Sequence, residues 1–270
     1  MNNMNKNVCY TCIVGNYDTL KEPLVISDDF DYICFTDNKN LKSDNWNIKP
    51  IPENLLSFNN GKINRYIKWT PHILFPEYEF SIYVDGSLTI QNDLLELKNN
   101  FCNDLNIPMY FISHNKRKCV YEEFLANARG KKEDITKLYN QMHKYFEEGL
   151  PFNYLLTHNC ILFRYHNNPI YINFSNALME EMNNTTFRDQ LSSPYIIWKQ
   201  NIKENIKLID TKIIKQYFDY DNSWKHDLKY VKEQSILQNV LHKIIVNNIL
   251  DKLELELYLN LLNKMFRSYM

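Results

Sequence analysis

The chain has 270 residues, of which 44% are hydrophobic and 14% aromatic, so it can bury a sizeable core and is not a disordered chain. Lys and Arg number 31 and Asp and Glu number 32, so the charges nearly cancel. Nucleic-acid-binding proteins usually carry an excess or a stripe of basic residues, so we expect no nucleic-acid partner.

Strand-like and helix-like segments alternate over the first two hundred residues. Strands are predicted at residues 8–14, 32–35, 46–51, 80–84, 109–114 and 159–164. Helices are predicted at residues 64–74, 93–101, 118–147 (as one or two helices), 172–184 and 188–200. Pro71 must lie in the first turn of a helix or break it. The alternation indicates an α/β sheet flanked by helices rather than a helix bundle.

The end of the chain has a different pattern. Leu237, Val240, Leu241 and Ile244 recur at helical spacing, which predicts one or two amphipathic helices. We therefore predict one α/β domain over residues 1–224 and a helical extension over residues 225–270 that packs on it. The leucines of this extension could pack on the sheet, form a homodimer or rest on a membrane surface. The mixed charge of DKLELELYLN argues mildly against the membrane.

Neither the N-terminus nor the cysteines point to an exported protein. The first twelve residues have no apolar signal core, and no window approaches the roughly 20 apolar residues of a membrane-spanning helix. We expect a cytoplasmic protein, with the inner face of the membrane as the alternative location. Cys9 and Cys12 form a C-x-x-C, but in one strand their side chains lie on opposite faces. The six cysteines are predicted to be buried thiols in a reducing compartment.

Polar residues follow four of the predicted strands. They are Gly15-Asn16-Tyr17-Asp18, Thr36-Asp37-Asn38, Asp85-Gly86-Ser87 and His114. In a parallel sheet these strand ends share one edge, where open α/β sheets bind their ligands. A hard cation such as Mg²⁺ or Mn²⁺ prefers one or two carboxylates together with phosphate oxygens, which Asp85 beside a glycine would suit. The alternative is that Asp85 is an ordinary turn residue.

Five segments in a fixed order carry a resemblance to a known family. They are YTCIVGNYD, YICFTDN, NRYIKWTPHILFPEYEFSIYVDGS, SHNKRKCVYEE and FRDQLS, within about residues 8–200. Together they resemble a glycosyltransferase-like family of plant mucilage and pollen-turgor proteins that has bacterial members in capsule and surface-polysaccharide loci. The family looks like a GT-A fold that uses a sugar nucleotide and usually a divalent metal. Its layout is distantly similar to the family-8 glycosyltransferases.

This resemblance implies a donor site at the ends of the first two strands. Gly15, Asn16 and Tyr17 would face the nucleoside, and Asp37 would lie near the base. The donor is expected to be a nucleotide sugar, with UDP as the first choice of nucleotide.

The resemblance also implies how the diphosphate is neutralised. Arg65 and Lys68 would approach it, although both could instead belong to a solvated helix face. Asp85 would bind Mn²⁺ or Mg²⁺, but Ser87 stands where a full D-x-D motif has its second aspartate. Another ligand is therefore needed unless the metal is dispensable. His226 is the first candidate, with His114 and His158 as alternatives.

The resemblance places the later motifs at the site of sugar transfer and at the acceptor or donor pocket. Asp189 and Gln190 would lie at the transfer site, where Asp189 could act as a general base, or Asp189 could simply cap a helix. The remaining pocket residues implied by the resemblance are His114, Arg117, Glu122 (or its neighbour Glu123) and Arg188.

We therefore predict a GT-A-like glycosyltransferase that moves a sugar to a glycan or a lipid-linked acceptor in surface or capsular polysaccharide synthesis. The alternative is a non-catalytic module of the same fold that binds a sugar nucleotide or a glycan.

Overall fold

A computed structural model describes residues 7–130 and 132–220, in which seven strands form one sheet. The strands are β1 Asn7–Ile13, β2 Phe30–Thr36, β3 Asn47–Pro50, β4 Phe80–Val84, β5 Met109–Ser113, β6 Thr157–Arg164 and β7 Ile206–Ile209. The α-helices are α1 Asn60–Trp69, α2 Pro71–Leu74, α3 Leu94–Phe101, α4 Val120–Arg129, α5 Ile135–Glu147, α6 Pro169–Asn184, α7 Asp189–Lys199 and α8 Thr211–Tyr217. Two short 3-10 turns lie at Glu53–Leu55 and Lys203–Asn205.

The sheet is mixed, with the strand order β3-β2-β1-β4-β6-β5-β7. Strands β1 to β4 run parallel to one another, and β5 runs parallel to β7. Strand β6 runs antiparallel to both of its neighbours, β4 and β5, so β5 points the same way as β4. The carboxyl ends of β1, β2, β4 and β5 therefore share one edge, and the amino end of β6 joins them there.

Helices cover both faces of the sheet, as the predicted α/β fold class requires. Successive residues of β4 show the division, because Ile82 belongs to one buried cluster and Tyr83 to the other. The cluster on the Tyr83 side contains residues of α1, α4, α5, α6 and α7, whereas the other contains residues of α3 and α8. Since helices cover both faces, the central strands β1 and β4 are buried at every residue.

The structure corrects several element boundaries. The helix predicted over residues 64–74 is two helices, because α1 ends at Trp69 and Pro71 starts α2 at its first position. Strand β7 and helix α8 were not predicted, since β7 has four residues, of which two are exposed, and carries no clear periodicity. The proposed extension over residues 225–270 lies outside the described residues.

The six cysteines are buried and free, as predicted. Among the described residues, no helix combines the length and the apolar character needed to cross a membrane.

Candidate active site

Asp85 lies at the shared edge of the sheet, directly after β4. Its backbone N–H donates to the Cys160 carbonyl oxygen at 2.8 Å, which fixes it beside β6, and its own carbonyl accepts from Leu88 N–H at 3.0 Å. The next residue must be small, because a Cβ atom on Gly86 would lie 2.7 Å from Cγ1 of Ile13. The glycine therefore lets the end of β4 pack closely against the end of β1.

Lys68 links Asp85 to the start of α7. Its Nζ lies 3.5 Å from Oδ1 of Asp85 and 3.1 Å from Oδ2 of Asp189, and its side chain is only 3% exposed. A buried ammonium group is costly unless it is paired, and here it is shared between two carboxylates. Lys68 therefore does not lie on a solvated face of α1, which was the alternative left open by the sequence.

The C-terminal end of α1 is held in place by buried side chains. The Lys68 carbonyl oxygen accepts from the Tyr10 hydroxyl at 2.8 Å and from Nη1 of Arg164 at 2.6 Å. The Trp69 carbonyl oxygen accepts from the Tyr171 and Ser175 hydroxyls at 2.8 and 2.5 Å. These bonds satisfy carbonyl groups that a helix end leaves unpaired, and they fix the direction in which Lys68 leaves the helix.

Asp189 is a buried carboxylate surrounded by donors. Nε of Arg65 lies 3.4 Å from its Oδ1, and Nε1 of Trp69 donates to its Oδ2 at 3.1 Å. Burial alone would raise the pKa of Asp189, but the charges of Arg65 and Lys68 outweigh it and hold that pKa well below its usual range. Trp69 was not predicted as a site residue, although it directly follows Lys68 in the IKWT segment.

Asp189 is also the first residue of α7 rather than its cap. Arg188 occupies the N-cap position and makes no capping side-chain bond, so the helix-cap interpretation of Asp189 is wrong. The following amide, Gln190, donates from Nε2 to the Thr157 carbonyl oxygen at 3.2 Å, which ties α7 to the amino end of β6.

The turns after β1 and β2 are tied to each other. Gly15 has a φ of +64° and Asn16 a φ of +51°, conformations that favour glycine and asparagine. The Gly15 N–H donates to both carboxylate oxygens of Asp37 at 3.0 Å, and Nδ2 of Asn38 donates to Oδ1 of Asn16 at 3.4 Å. Asp37 is therefore engaged with the backbone of the first turn.

Tyr17 follows Gly15 and Asn16 in the turn after β1, and its aromatic side chain is exposed, with 38% of its surface accessible. Partial burial and Asp18 raise its pKa, and the charges of Arg188, Arg65 and Asp85 all act on the same phenol. The phenol therefore lies within electrostatic reach of Arg188, Arg65 and Asp85.

His114, at the end of β5, shapes a second group of charges. Its Nδ1 accepts from the backbone N–H groups of Lys116 and Arg117 at 3.2 and 2.9 Å. The Arg117 guanidinium forms an ion pair with the buried carboxylate of Glu123. Glu122 is exposed and accepts from Lys118 N–H at 2.7 Å, so Glu123 rather than Glu122 faces inward.

His158 enters the site from the amino end of β6. Its Nδ1 lies 2.5 Å from the Tyr220 hydroxyl and 3.4 Å from Sγ of Cys160, and its ring centroid is 5.7 Å from that of His114. Burial and the nearby His114 lower the pKa of His158 to about 4. Because β6 is antiparallel to its neighbours, the start of this strand lies at the shared edge, which brings His158 to the carboxyl ends of β4 and β5.

A divalent metal would have Asp85 as its protein anchor. The Asp85 side chain is 23% exposed, and Ser87 nearby is 6% exposed. Residues 7–130 and 132–220 contain no group of three His, Cys, Asp or Glu side chains arranged to hold a metal ion. Mg²⁺ usually takes one or two carboxylates and completes its shell with phosphate oxygens and water, a requirement that Asp85 fits when a diphosphate is present. His226 lies outside the described residues.

The comparisons with known proteins agree with the sequence resemblance. The family model described as "TOD1/MUCI70, glycosyltransferase-like domain" matches residues 1–218. The "Alkaline ceramidase TOD1" of Arabidopsis thaliana is 26% identical over 200 residues, which are 70% of this chain and 42% of that protein. The "Probable hexosyltransferase MUCI70" of the same plant is 28% identical over 141 residues, which are 49% of this chain and 24% of that protein. The chain thus spans less than half the length of either relative.

Two solved structures of glycosyltransferases are similar at low sequence identity. Mouse xyloside xylosyltransferase 1 has a TM-score of 0.43 at 10% identity, and the match covers 75% of this chain and 84% of the xylosyltransferase chain. The galactosyltransferase LgtC, solved with donor and acceptor sugar analogues, has a TM-score of 0.43 at 10% identity and covers 76% of this chain and 74% of its own.

Proposed function

Because this chain belongs to the TOD1/MUCI70 glycosyltransferase-like family, we propose that it transfers a sugar from a nucleotide-sugar donor to a glycan or a lipid-linked acceptor. The observation that carries the proposal is the cluster at the edge of the sheet, where Lys68 lies between Asp85 and Asp189. The cluster places a partly exposed carboxylate and fixed cations at the edge where open α/β sheets bind nucleotides.

We assign the nucleoside to the turns after β1 and β2. The exposed ring of Tyr17 offers a surface on which a base or a ribose can pack, next to the backbone of Gly15 and Asn16. Asp37 holds these turns together through the Gly15 N–H, so it would act on the nucleoside pocket by fixing its shape. UDP is the first nucleotide to test.

We assign a divalent metal, Mn²⁺ or Mg²⁺, to Asp85. When bound, the ion would neutralise the charge of the departing diphosphate. His226 is kept as a further candidate ligand, and the last described residue, Tyr220, contacts His158 at the site. Ser87, two residues beyond Asp85, is proposed to line the donor site.

We assign an electrostatic role to Asp189 rather than that of a general base. A carboxylate whose pKa is held far below the working pH by two cations is a weak proton acceptor. Its negative charge is fixed beside Lys68 and Arg65, where it orients both cations, and it can oppose positive charge that develops on the sugar. Gln190, tied to Thr157, holds the start of α7 against the sheet.

We assign the acceptor to the side of the site formed by His114, Arg117 and Glu123, since Glu123 is buried against Arg117 whereas Glu122 is exposed. Surface or capsular glycan assembly on the cytoplasmic side of the membrane is the proposed setting. The alternative remains a module that binds a sugar nucleotide or a glycan without turnover.

The proposal is tested by release of the nucleoside diphosphate from UDP-, GDP- and CDP-sugars in the presence of Mn²⁺, with water or an added oligosaccharide as acceptor. The wild type should release one of them, and Asp85→Asn should be slower by about 100-fold or more. Asp28→Asn makes the same change at an exposed position before β2, on the opposite edge of the sheet, and should match the wild type. Ceramide hydrolysis is assayed in parallel, because one relative carries the name ceramidase. Donor that binds without any release would favour the non-catalytic module.

A further inference from the structure

We propose that Arg188, rather than Arg65 or Lys68, is the side chain that grips the phosphate groups of the donor, an assignment that rests on the proposed function. The resemblance to the family assigns this task to the two cations of α1. The arrangement of contacts around the start of α7 points to the arginine that precedes Asp189.

Arg65 fixes the position of Arg188 from both sides. Its Nε donates to the carbonyl oxygen of Phe187 at 3.2 Å and lies 3.4 Å from Oδ1 of Asp189. The residues immediately before and after Arg188 therefore both contact one guanidinium group. Arg188 is consequently held next to Arg65, at the edge of the sheet that also carries Asp85.

The two cations of α1 are already committed within the protein. Nζ of Lys68 is shared between Asp85 and Asp189. Arg65 faces Asp189 with Nε, and its Nη1 donates to Oδ1 of Asn64 at 2.6 Å. A phosphate that displaced either cation from Asp189 would leave this buried carboxylate with fewer partners, which is costly.

Arg188 is in the opposite situation. Its side chain is half-buried, yet no hydrogen bond or ion pair joins it to any of residues 7–130 and 132–220. A guanidinium carries five N–H donors, and a partly buried charge without partners is unfavourable. Burial and the charge of Arg65 lower the pKa of Arg188 by more than the carboxylates of Asp189, Glu123 and Glu133 raise it, so the repulsion between the two cations is not fully offset. An anion between them would relieve that repulsion.

The neighbours of Arg188 indicate which part of the donor it meets. The phenol of Tyr17 lies within reach of the charges of Arg188, Arg65 and Asp85. If the nucleoside rests at Tyr17 and the metal at Asp85, the phosphates lie between these two points, beside Arg188. A planar guanidinium can bind phosphate oxygens in a bidentate manner, which Lys68 cannot do.

The test compares nucleoside diphosphates with monophosphates. UDP, GDP, CDP and ADP and their monophosphates are titrated with Mn²⁺ into the wild type and Arg188→Gln by calorimetry. We expect Arg188→Gln to lose about 10- to 100-fold in affinity for the preferred diphosphate and much less for its monophosphate. Arg188→Lys keeps the positive charge but loses the planar guanidinium, so its diphosphate affinity should lie between those of the wild type and Arg188→Gln. It replaces Arg188→Gln in the test if that variant does not fold.

Lys207→Gln is the matched control, because it removes one positive charge from an exposed position on β7. It should bind the diphosphate like the wild type. Unchanged diphosphate affinity in Arg188→Gln would overturn the assignment. This result would also be obtained if Arg188 bound an acidic acceptor instead of the donor. Equal losses for the diphosphate and the monophosphate would also overturn the assignment to the diphosphate, since they indicate that the arginine contributes no more to two phosphate groups than to one. A wild type that binds none of the nucleotides would instead overturn the proposed function itself.

Discussion

Lys68 shows how a single buried cation can organise a site. It contacts carboxylates that are far apart in the sequence, Asp85 after β4 and Asp189 at the start of α7. From the sequence, Lys68 could equally have been a surface residue of α1, because nothing in the NRYIKW segment reveals a partner more than one hundred residues away. The residue types were identified in advance, but their mutual contacts depend on tertiary packing.

Replacing Lys68 by methionine should be strongly destabilising. Lys68→Met leaves Asp189 buried with one cation fewer and removes the partner of Asp85, so the free energy of unfolding should fall by about 3–5 kcal/mol. Urea denaturation of the purified chain measures this change. Lys199→Met is the control, because Lys199 is 51% exposed in its ion pair with Glu148 and should cost less than about 1 kcal/mol. Similar losses in both variants would show that Lys68 is not a buried, paired cation.

The strand ends illustrate what local patterns can and cannot provide. The SIYV run with its following Asp85 and Gly86 was predicted as strand and turn, and β4 has the predicted bounds, Phe80–Val84. The direction of β6 was not foreseeable, since an apolar strand reads the same whichever way it runs in a sheet. As a result His158, at the start of that strand, was considered only as an alternative ligand, although it lies at the shared edge.

Replacement by alanine should have opposite effects at Gly86, where β4 packs closely against β1, and at Gly61, which lies in α1. Gly86→Ala would place Cβ 2.7 Å from Ile13 and should destabilise the protein by about 1–3 kcal/mol through overpacking. Gly61→Ala lies in α1, where the new Cβ would meet its nearest atom at 3.4 Å, and should stabilise the protein by about 0.5–1 kcal/mol. Thermal unfolding of both variants measures the difference. A Gly86→Ala variant as stable as the wild type would show that β4 and β1 do not pack this closely at Gly86.

Buried histidines connect the core to the pH dependence of the molecule. Burial is the first cause that lowers the pKa of both His158 and His166, in each case to about 4, against an ordinary value of about 6.5. Between these values the unfolded chain binds more protons than the folded one. The contribution of these neutral histidines to the free energy of unfolding is therefore fully present above about pH 6.5 and is lost as the pH falls towards 4.

We predict that His166→Gln makes the free energy of unfolding depend less on pH between 6.5 and 4. Each buried histidine should account for up to roughly 3 kcal/mol between pH 6.5 and 4, so the variant should lose less stability on acidification than the wild type. Urea denaturation at pH 7 and pH 5 measures the slope. His143→Gln changes a histidine that is 51% exposed, and it should keep the wild-type slope. An unchanged slope in His166→Gln would contradict the burial argument.

Across the molecule, the order of motifs in the sequence was enough to identify the family, and the α/β sheet followed from the alternation of strands and helices. The strand order and the pairing of charges were not foreseeable, because both depend on contacts between distant segments. The mixed sheet nevertheless brings the predicted strand ends to one edge, as a parallel arrangement would. That edge gives the proposed function its physical basis.

The most direct measurement is calorimetric titration of UDP, GDP, CDP and ADP, each with and without Mn²⁺, into the wild type and Asp85→Ala. We predict tight binding of one nucleotide in the presence of Mn²⁺, weak binding without the metal, and loss of the metal-dependent part in Asp85→Ala. Failure of the well-folded wild type to bind any nucleotide, or metal-dependent binding that survives in Asp85→Ala, would contradict a nucleotide-sugar site at this edge of the sheet.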